Sequence, residues 1–414
     1  ARVAVGGLYG YGPSITDAYQ VDGVELAGLP FVDFHVPFYG EAPMEAIVRS
    51  LTGGDPVAPA ELDVPFDREG FLVSRPTFRS YRDRDNHVYS PRALYRLYTG
   101  SDHPPAPFDA DGEPILFVPY RFQNGCFHGR CAYCAMSSRP RAHFAVKPIE
   151  TIIADLRHLR RSCGSRYFVL FNTNFNFSLS FAKRLLREMI RARLDLVWTD
   201  SFNLRVMDEE LIDLLARAGC FRLDLGVVSF SMELLRRLDN VYHSETDLDW
   251  LQRISARGLW THINVIAGLP GEGEVSDLAP LIKRLRPHID STMINSFRLY
   301  RSRLSLEPER FDLRLAAGAG PQLLEPGRDP RARRRLSRRN YRALQHLLDP
   351  YPIKSNREQI DLYLMGYLYH ALGSPRKAEI RRTVRWLVWS HRWRRALYDR
   401  LPAQRRAAGD TPLR

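Results

Sequence analysis

The sequence lacks any run of about 18 or more consecutive apolar residues, the length that a membrane-spanning helix needs. We therefore expect no membrane span. The sequence at Ala1 also lacks a basic segment followed by an apolar core and a cleavage site, the pattern of a secretory signal peptide. Both absences favour a cytoplasmic protein.

Cysteine is scarce, with 5 residues in a chain of 414. An odd and unevenly distributed set does not make a disulfide framework and suits a reducing compartment. Acidic residues are outnumbered, because 60 Lys and Arg against 47 Asp and Glu give a net charge of +13. The length allows two or three domains with a sizeable core.

Three of the cysteines lie within one short segment, Gly125-Cys126-Phe127-His128-Gly129-Arg130-Cys131-Ala132-Tyr133-Cys134. One loop of this length can turn three thiolates towards one iron–sulfur cluster, and its glycines permit a tight backbone path. Three ligands leave one coordination position without a protein donor. The alternative is a structural zinc site with His128 as the fourth ligand, although a ligand between two others would strain the turn. Cys163 and Cys220 are interpreted as core residues.

Predicted strands and helices alternate regularly from Ile115 onwards. Six strands separated by helices indicate an α/β fold with a parallel sheet, a partial (β/α)6 TIM-like barrel. The strands are predicted at 115–120, 167–171, 194–198, 221–227, 260–266 and 291–296. We expect three regions: an α/β fragment with a proline-rich linker over residues 1–110, the barrel over 111–300, and a helical region over 301–414. In the last region, residues 308–330 are interpreted as a loop, and helices are predicted at 331–348, at 358–372 and around Trp389. Functional residues of such barrels gather at the carboxyl ends of the strands.

The cysteine segment resembles the cluster-binding motif of the radical S-adenosylmethionine (SAM) superfamily. In that motif the cysteines are separated by three and then two residues, and an aromatic residue, here Tyr133, precedes the last. The first spacer of this chain is longer, since it has four residues from Phe127 to Arg130. The resemblance implies that the three cysteines bind a 4Fe-4S cluster and that SAM binds the fourth iron. It also implies an external electron donor and formation of a 5′-deoxyadenosyl radical.

The resemblance implies further cofactor contacts at the strand ends. Asn172 and Asn174 follow the second strand, at a position where relatives have acidic or glycine-rich turns that bind SAM or substrate. Ser229 and Ser231 lie in a segment similar to the family sequence Gly-Val-Glu-Ser-Gly-Ser, in which Val228 replaces the glutamate.

Ile266 and Gly268 belong to the segment Ile266-Ala267-Gly268-Leu269-Pro270-Gly271-Glu272. Relatives have a similar Gly-Leu-Pro-Gly-Glu at the strand that contacts adenine. Asp200 and Arg205 are weaker candidates, and Asp208 is predicted to cap a helix.

The first residues resemble the last part of a cobalamin-binding domain. Strands are predicted at 2–7 and 21–24, and the first ends in Gly6-Gly7. His35 is interpreted as an ordinary loop or core histidine. Either the front of that domain has been lost or Ala1 is not the true start. The resemblance makes methylation of an unactivated carbon in a natural product or peptide the leading hypothesis, with cobalamin as a further cofactor.

Three alternatives stay open. The first is cobalamin-independent radical chemistry, namely epimerisation, dehydrogenation or rearrangement. The second is a barrel that binds a cluster without catalysis. The third is an RNA-modifying protein, because eight arginines lie between Arg328 and Arg342. Apolar residues recur at helical spacing between those arginines, which favours a solvated amphipathic helix, so we do not expect a nucleic-acid partner.

Overall fold

The structure is a computed structural model of the chain. It describes residues 4–6, 34–36, 41–53, 56, 67–74, 76, 118–138, 144–240, 244–299, 302–316, 322–327, 329–348 and 352–353. Across these residues, no helix is both long and apolar enough to cross a membrane.

The amino-terminal part contains one parallel strand pair and two helices. Strand β1 (Ala4–Gly6) pairs with β2 (Phe34–Val36), which contains His35. The predicted partner strand at 21–24 lies outside the described residues. Helices α1 (Glu41–Leu51) and α2 (Arg68–Val73) follow.

The central sheet has seven parallel strands in the order β13-β10-β9-β8-β7-β6-β3. A short antiparallel ribbon, β4 (Gln123–Asn124) with β5 (Ala145–Val146), lies beside it. The strands of the sheet are β3 (Val118–Tyr120), β6 (Tyr167–Leu170), β7 (Val197–Phe202), β8 (Cys220–Val228), β9 (Trp260–Ala267), β10 (Ser291–Ser296) and β13 (Pro352–Ile353). The predicted α/β fold with its six parallel strands is therefore confirmed, and β13 adds a strand that was not predicted.

Helices connect successive strands and cover one face of the sheet. They are α3 (Ile149–Cys163), α4 (Leu179–Arg191), α5 (Glu209–Arg217), α6 (Met232–Arg237), α7 (Trp250–Ala256) and α8 (Ala279–Leu285). Their apolar side chains and alternate residues of the strands form one buried cluster, in which Leu211 and Ile254 join Leu223 and Val265. Because strand side chains alternate between faces, the other residues of β8 and β9 point away from the helices.

The prediction for β7 was wrong at both ends. The strand begins at Val197 rather than at 194, because Arg193 and Asp195 adopt positive φ angles of 46° and 47° in the turn that precedes it. It then continues to Phe202 through three polar residues, Thr199, Asp200 and Ser201. Because these residues are polar, the pattern of apolar residues in the sequence did not indicate this part of the strand.

The carboxyl-terminal part has more structure than predicted. Helix α9 (Arg303–Leu306) is followed by a 3-10 helix (Pro308–Phe311) and an antiparallel pair, β11 (Arg314–Ala316) with β12 (Gln322–Leu324). The region 308–330 was interpreted as a loop, which was wrong because the pair forms there. Helix α10 (Pro330–Leu348) agrees with the predicted helix at 331–348. The predicted helices at 358–372 and around Trp389 lie outside the described residues.

Candidate functional site

The cysteine loop begins where the strands β3 and β4 end. Gly125 and Gly129 adopt positive φ angles of 73° and 56°, which let the chain turn sharply before Cys126 and again between Cys126 and Cys131. Cys131 is buried, whereas Cys126 and Cys134 are partly exposed, and none of the three forms a disulfide. The loop therefore presents its thiols at the edge of the core.

The three thiols are close enough to affect one another. Burial raises the pKa of Cys131, and the neighbouring Cys134 and Cys126 raise it further. Three thiolates in such a loop repel one another unless a positive charge lies between them. Iron supplies that charge, so the donor set fits an iron–sulfur cluster.

No group of three His, Cys, Asp or Glu side chains within the described part of the chain is arranged to hold one metal ion. A single zinc ion needs its ligands within about 2.3 Å of one centre. A four-iron cluster makes a different demand, because each thiolate binds its own iron and the sulfurs lie farther apart.

His128 points its Nε2 at the main chain. The ring is 5% exposed, and Nε2 donates to the carbonyl oxygen of Asp239 at 2.9 Å. This contact occupies one of the two ring nitrogens through which His128 could bind zinc in that alternative.

The turn after α6 and the start of α9 clamp the cysteine loop from outside. The amide of Ala132 donates to the carbonyl of Leu238, and the Ala132 carbonyl accepts from the amide of Leu304. The Arg303 guanidinium donates to the Arg130 carbonyl at 2.9 Å and to the Asp239 carboxylate at 2.7 Å. The loop is therefore braced by segments far away in the sequence.

Tyr133 lies against both the cysteines and this brace. Its hydroxyl accepts a hydrogen bond from Asn240 Nδ2 at 2.5 Å. Burial raises the pKa of Tyr133, and the nearby Cys131 and Cys134 raise it further. The aromatic residue before the last cysteine thus packs on the thiols, and its cofactor contact stays a prediction.

Asn172 supports the backbone that leads into the cysteine loop. Its Oδ1 accepts from the amides of Phe122 at 3.2 Å and Gln123 at 2.9 Å. Its Nδ2 donates to Asp200 Oδ2 at 2.6 Å. Because both ends of this side chain already have partners, the contacts in the structure are those of a supporting residue.

Asn174 and Gln123 form a buried polar pair beside the same loop. Gln123 Oε1 accepts from the Asn174 amide at 3.1 Å and from the Thr173 hydroxyl at 3.0 Å. Both atoms of the Asn174 side-chain amide and the Gln123 Nε2 are buried without a hydrogen-bond partner among the described residues. Buried polar groups are rarely left in that state, so this pair suits a polar ligand. Gln123 was not predicted; its place just before the cysteine loop was the only signal.

The two serines after β8 have local roles. Ser229 Oγ accepts from the Ser231 amide at 3.2 Å, and Ser231 Oγ accepts from the Leu234 amide at 3.3 Å as the N-cap of α6. Val228, which replaces the family glutamate, has a φ of 63°, an unusual value for a β-branched residue. Such strain is often found at functional sites.

The predicted site residues at β9 meet the cysteine loop in a second buried cluster. Ile266 and Tyr133 pack against buried Ala132, Val228 and Leu269. The carboxyl ends of β8 and β9 and the cysteine loop therefore lie together.

Gly268 has a φ of 84°, and a Cβ atom at this position would collide with Ser337 of α10. Its amide donates to Glu272 Oε2 at 2.7 Å, and Asn340 Nδ2 of α10 donates to the same oxygen at 2.8 Å. The positive φ and the close approach of Ser337 are enough to require glycine at position 268. The contact of Gly268 with adenine stays a prediction.

The three weaker candidates, Asp208, Asp200 and Arg205, lie in different environments. Asp208 is the N-cap of α5, as predicted, because its Oδ1 accepts from the Leu211 amide at 2.8 Å. Asp200 is fully buried behind the site, and burial raises its pKa while hydrogen bonds from Asn172 and Ser201 oppose the rise. Arg205 is exposed.

Residues 120–285, the part that contains this site, match the sequence model of the Radical SAM superfamily. This match covers about two fifths of the chain. The matched residues span β3 to α8 and include all three clustered cysteines.

A curated relative and two solved structures illustrate the similarity. A tryptophan 2-C-methyltransferase of Streptomyces laurentii is 27% identical over 164 residues, which cover 36% of this chain and 27% of that protein. The radical SAM methyltransferase TsrM of Kitasatospora setae, with cobalamin and a [4Fe-4S] cluster, gives a TM-score of 0.44 at 22% identity, covering 55% of this chain and 43% of that one. Coproporphyrinogen III oxidase of Escherichia coli gives 0.40 at 15% identity, with coverages of 63% and 58%. The chain thus spans less than two thirds of each of these proteins.

Proposed function

We propose that this chain is a radical SAM enzyme that binds a 4Fe-4S cluster through Cys126, Cys131 and Cys134. The observation that carries the proposal is the convergence of these thiols in one braced loop at the carboxyl ends of the parallel strands. When bound, the cluster and SAM supply reductive cleavage of a carbon–sulfur bond and thus a radical that reacts with unactivated carbon. The clustered thiols suit a reducing compartment, which is why we propose a cytoplasmic location.

The protein's own residues hold the reactants and exclude water. Asn174 and Gln123 offer two amide donors and one acceptor in a buried position beside the loop. An amino-acid group carries both a carboxylate and an ammonium, so it matches this set, and we assign the pair to the methionine part of SAM. Ile266 and the buried cluster around Val228 form an apolar wall that keeps water away.

Within this class we propose transfer of a methyl group to a carbon atom of a small molecule or peptide. The support is the similarity to a tryptophan C-methyltransferase together with the parallel pair β1–β2, which resembles the end of a cobalamin-binding domain. Cobalamin is therefore part of the proposal, as is an external electron donor. If cobalamin does not bind, the second candidate is epimerisation, dehydrogenation or rearrangement.

An RNA substrate is less well supported. Arg333 pairs with Glu325 at 2.9 Å and Arg339 pairs with Glu274 at 2.6 Å, so two arginines of α10 are engaged within the protein. Such pairing is typical of a helix that packs on its own domain rather than of a surface that only binds phosphates.

Anaerobic reconstitution with iron and sulfide tests the proposal. We expect about four irons per chain and, with SAM and a reductant, formation of 5′-deoxyadenosine. The appearance of S-adenosylhomocysteine together with it indicates methyl transfer, and 5′-deoxyadenosine alone indicates the second candidate. Retention of stoichiometric cobalamin by the intact protein is the independent readout for that cofactor.

The matched pair of variants is Cys131→Ala and Cys163→Ala. Both residues are buried, but Cys163 lies at the end of α3, outside the loop. We expect the first variant to lose the cluster and SAM cleavage and the second to keep both. SAM cleavage that survives in Cys131→Ala would overturn the proposal.

A further inference from the structure

The face of the sheet that points away from the helices carries a column of polar side chains. On β8 these are Arg222 and Asp224, and on β9 they are His262 and Asn264. Their neighbours in sequence, such as Leu223 and Ile263, belong to the core cluster on the helical face. The polar residues therefore lie on the inner side of the partial barrel.

The lower part of this inner side is closed. Near the amino ends of the strands Arg222 is 0% exposed, His262 1% and Ser291 3%. Trp260 Nε1 donates to Ser291 Oγ at 2.9 Å, and Ser291 Oγ lies 2.7 Å from His262 Nδ1. Burial, followed by the charge of Arg222, lowers the pKa of His262 well below its usual value, while the neighbouring Asn264 side chain opposes the shift. These side chains form a floor without an opening.

Asp224 and Asn264 are the first layer above the floor that solvent reaches. Both are only partly buried, and the Asp224 side chain is 22% exposed. Asn264 Nδ2 donates to Asp224 Oδ1, which fixes the relative orientation of the two groups. Any molecule that enters the barrel as far as the floor meets this pair.

The oxygens of this pair have acceptor capacity that the neighbouring side chains use only in part. Asn264 Oδ1 is buried and has no hydrogen-bond partner among the residues that the structure describes. Asp224 Oδ2 lies 3.9 Å from the Arg222 guanidinium, which is too long for a hydrogen bond. Burial raises the pKa of Asp224, while the charge of Arg222 and the hydrogen bond from Asn264 oppose the rise. Two oxygens therefore face the interior with unused acceptor capacity.

We propose that Asp224 and Asn264 form a substrate subsite that binds a primary amine. An ammonium has three donors and a positive charge, so it can satisfy the amide oxygen and the carboxylate oxygen together. An ionised carboxylate or phosphate group of a ligand has no donor to offer these two oxygens. The inference deepens the proposed function by naming the chemical class of the substrate, and it rests on that function.

The test measures amine binding to the iron-loaded protein in the presence of SAM. The probes are the twenty amino acids and tryptamine, and each amine that binds is compared with its analogue lacking the amino group. We expect at least one amine to bind, its deaminated analogue to bind about tenfold more weakly or worse, and Asp224→Asn to remove this preference. Asp213→Asn, the same substitution in an exposed ion pair with Arg257, should bind the amine like the wild type.

A second variant keeps the test valid if Asp224→Asn does not fold, since that change removes the carboxylate beside the buried Arg222. Asn264→Ala leaves the carboxylate and Arg222 in place and removes the amide oxygen, so we expect a several-fold loss of amine affinity. The inference would be overturned if no amine bound to a wild-type protein that takes up iron and SAM. Equal amine binding by the wild type and both variants would also overturn it. A wild-type protein that does not take up iron would instead overturn the proposed function.

Discussion

Asp200→Asn tests whether the hydrogen-bond network behind the cysteine loop controls both folding and cluster binding. The carboxylate accepts from the Asn172 amide at 3.1 Å, the Ser201 amide at 2.8 Å and Asn172 Nδ2 at 2.6 Å. All three partners are donors. Asn172 cannot turn its amide over without losing the bonds that its Oδ1 accepts from Phe122 and Gln123.

The magnitude follows from this arrangement. In its better orientation the new asparagine keeps the two backbone donors but sets its own NH2 against Asn172 Nδ2. A hydrogen bond to a charged group contributes about 1.5–3 kcal/mol, and a buried donor left without a partner costs about 1–3 kcal/mol. Relief from burying a carboxylate offsets part of this loss. We expect a net loss of about 2 kcal/mol in the free energy of unfolding.

Urea unfolding of the iron-free protein measures that loss, and anaerobic iron titration measures its effect on the site. Because Asn172 positions the backbone that enters the loop, we expect iron affinity to fall about tenfold, as for other groups that orient metal ligands. Asp195→Asn is the matched control. Its side chain is 69% exposed and its φ is 47°, which asparagine also tolerates, so the change should stay within about 0.5 kcal/mol.

The reasoning would be refuted if Asp200→Asn unfolded within about 0.5 kcal/mol of the wild type and bound iron with the same affinity. A double-mutant cycle with Asn172→Ala adds a quantitative check. Residues in one buried network couple by about 0.5–3 kcal/mol. Additive effects of the two substitutions would show that the hydrogen bonds between them do not contribute as proposed.

Three further predictions concern other buried contacts. Lys147→Ala should lower the free energy of unfolding in urea by about 3–5 kcal/mol, because Asp155, 2.9 Å from the Lys147 Nζ, would keep its buried charge without its cation. Lys283→Ala, at an exposed lysine, is the control and should lower it by less than about 0.5 kcal/mol. Gly268→Ala should lower the melting temperature through both its positive φ and the collision with Ser337, whereas Gly273→Ala, with open space around it, should not; an equal effect of the two would contradict the packing described here. Burial raises the pKa of Glu272, so the folded protein binds this proton more tightly than the unfolded protein does. The wild type should therefore gain stability relative to Glu272→Gln as the pH falls from 7 through that raised pKa towards 4.5. Urea midpoints that shift equally in both proteins would exclude this.

The order of strands and helices was readable from the sequence where burial was uniform. β10 at Ser291–Ser296 agrees with its predicted bounds, and β9 extends its predicted bounds by one residue, because each follows a helix in the regular alternation of strands and helices. β7 was misplaced because its polar residues serve the site instead of the core. The 3-10 helix at Pro308–Phe311 and the β11–β12 pair were missed because each element is only three or four residues long, too short to show a periodic pattern.

The sequence identified the cysteine loop because ligand chemistry and spacing are local properties. It could not distinguish Asn172 from Asn174, two residues apart, although one supports the loop and the other offers its amide to a ligand. It also gave no reason to connect Gln123 or Asp224 with binding. Those roles depend on which atoms remain without partners after folding.

The sequence by itself determined the position of the cysteine loop, the parallel α/β sheet and the glycine turns, because each depends on residue type and on short spacings along the chain. The tertiary structure alone decided that Arg303 braces the loop and that Asp224 with Asn264 covers a closed floor. Those contacts join residues 40 or more positions apart, so they exist only once the strands have taken their order in the sheet.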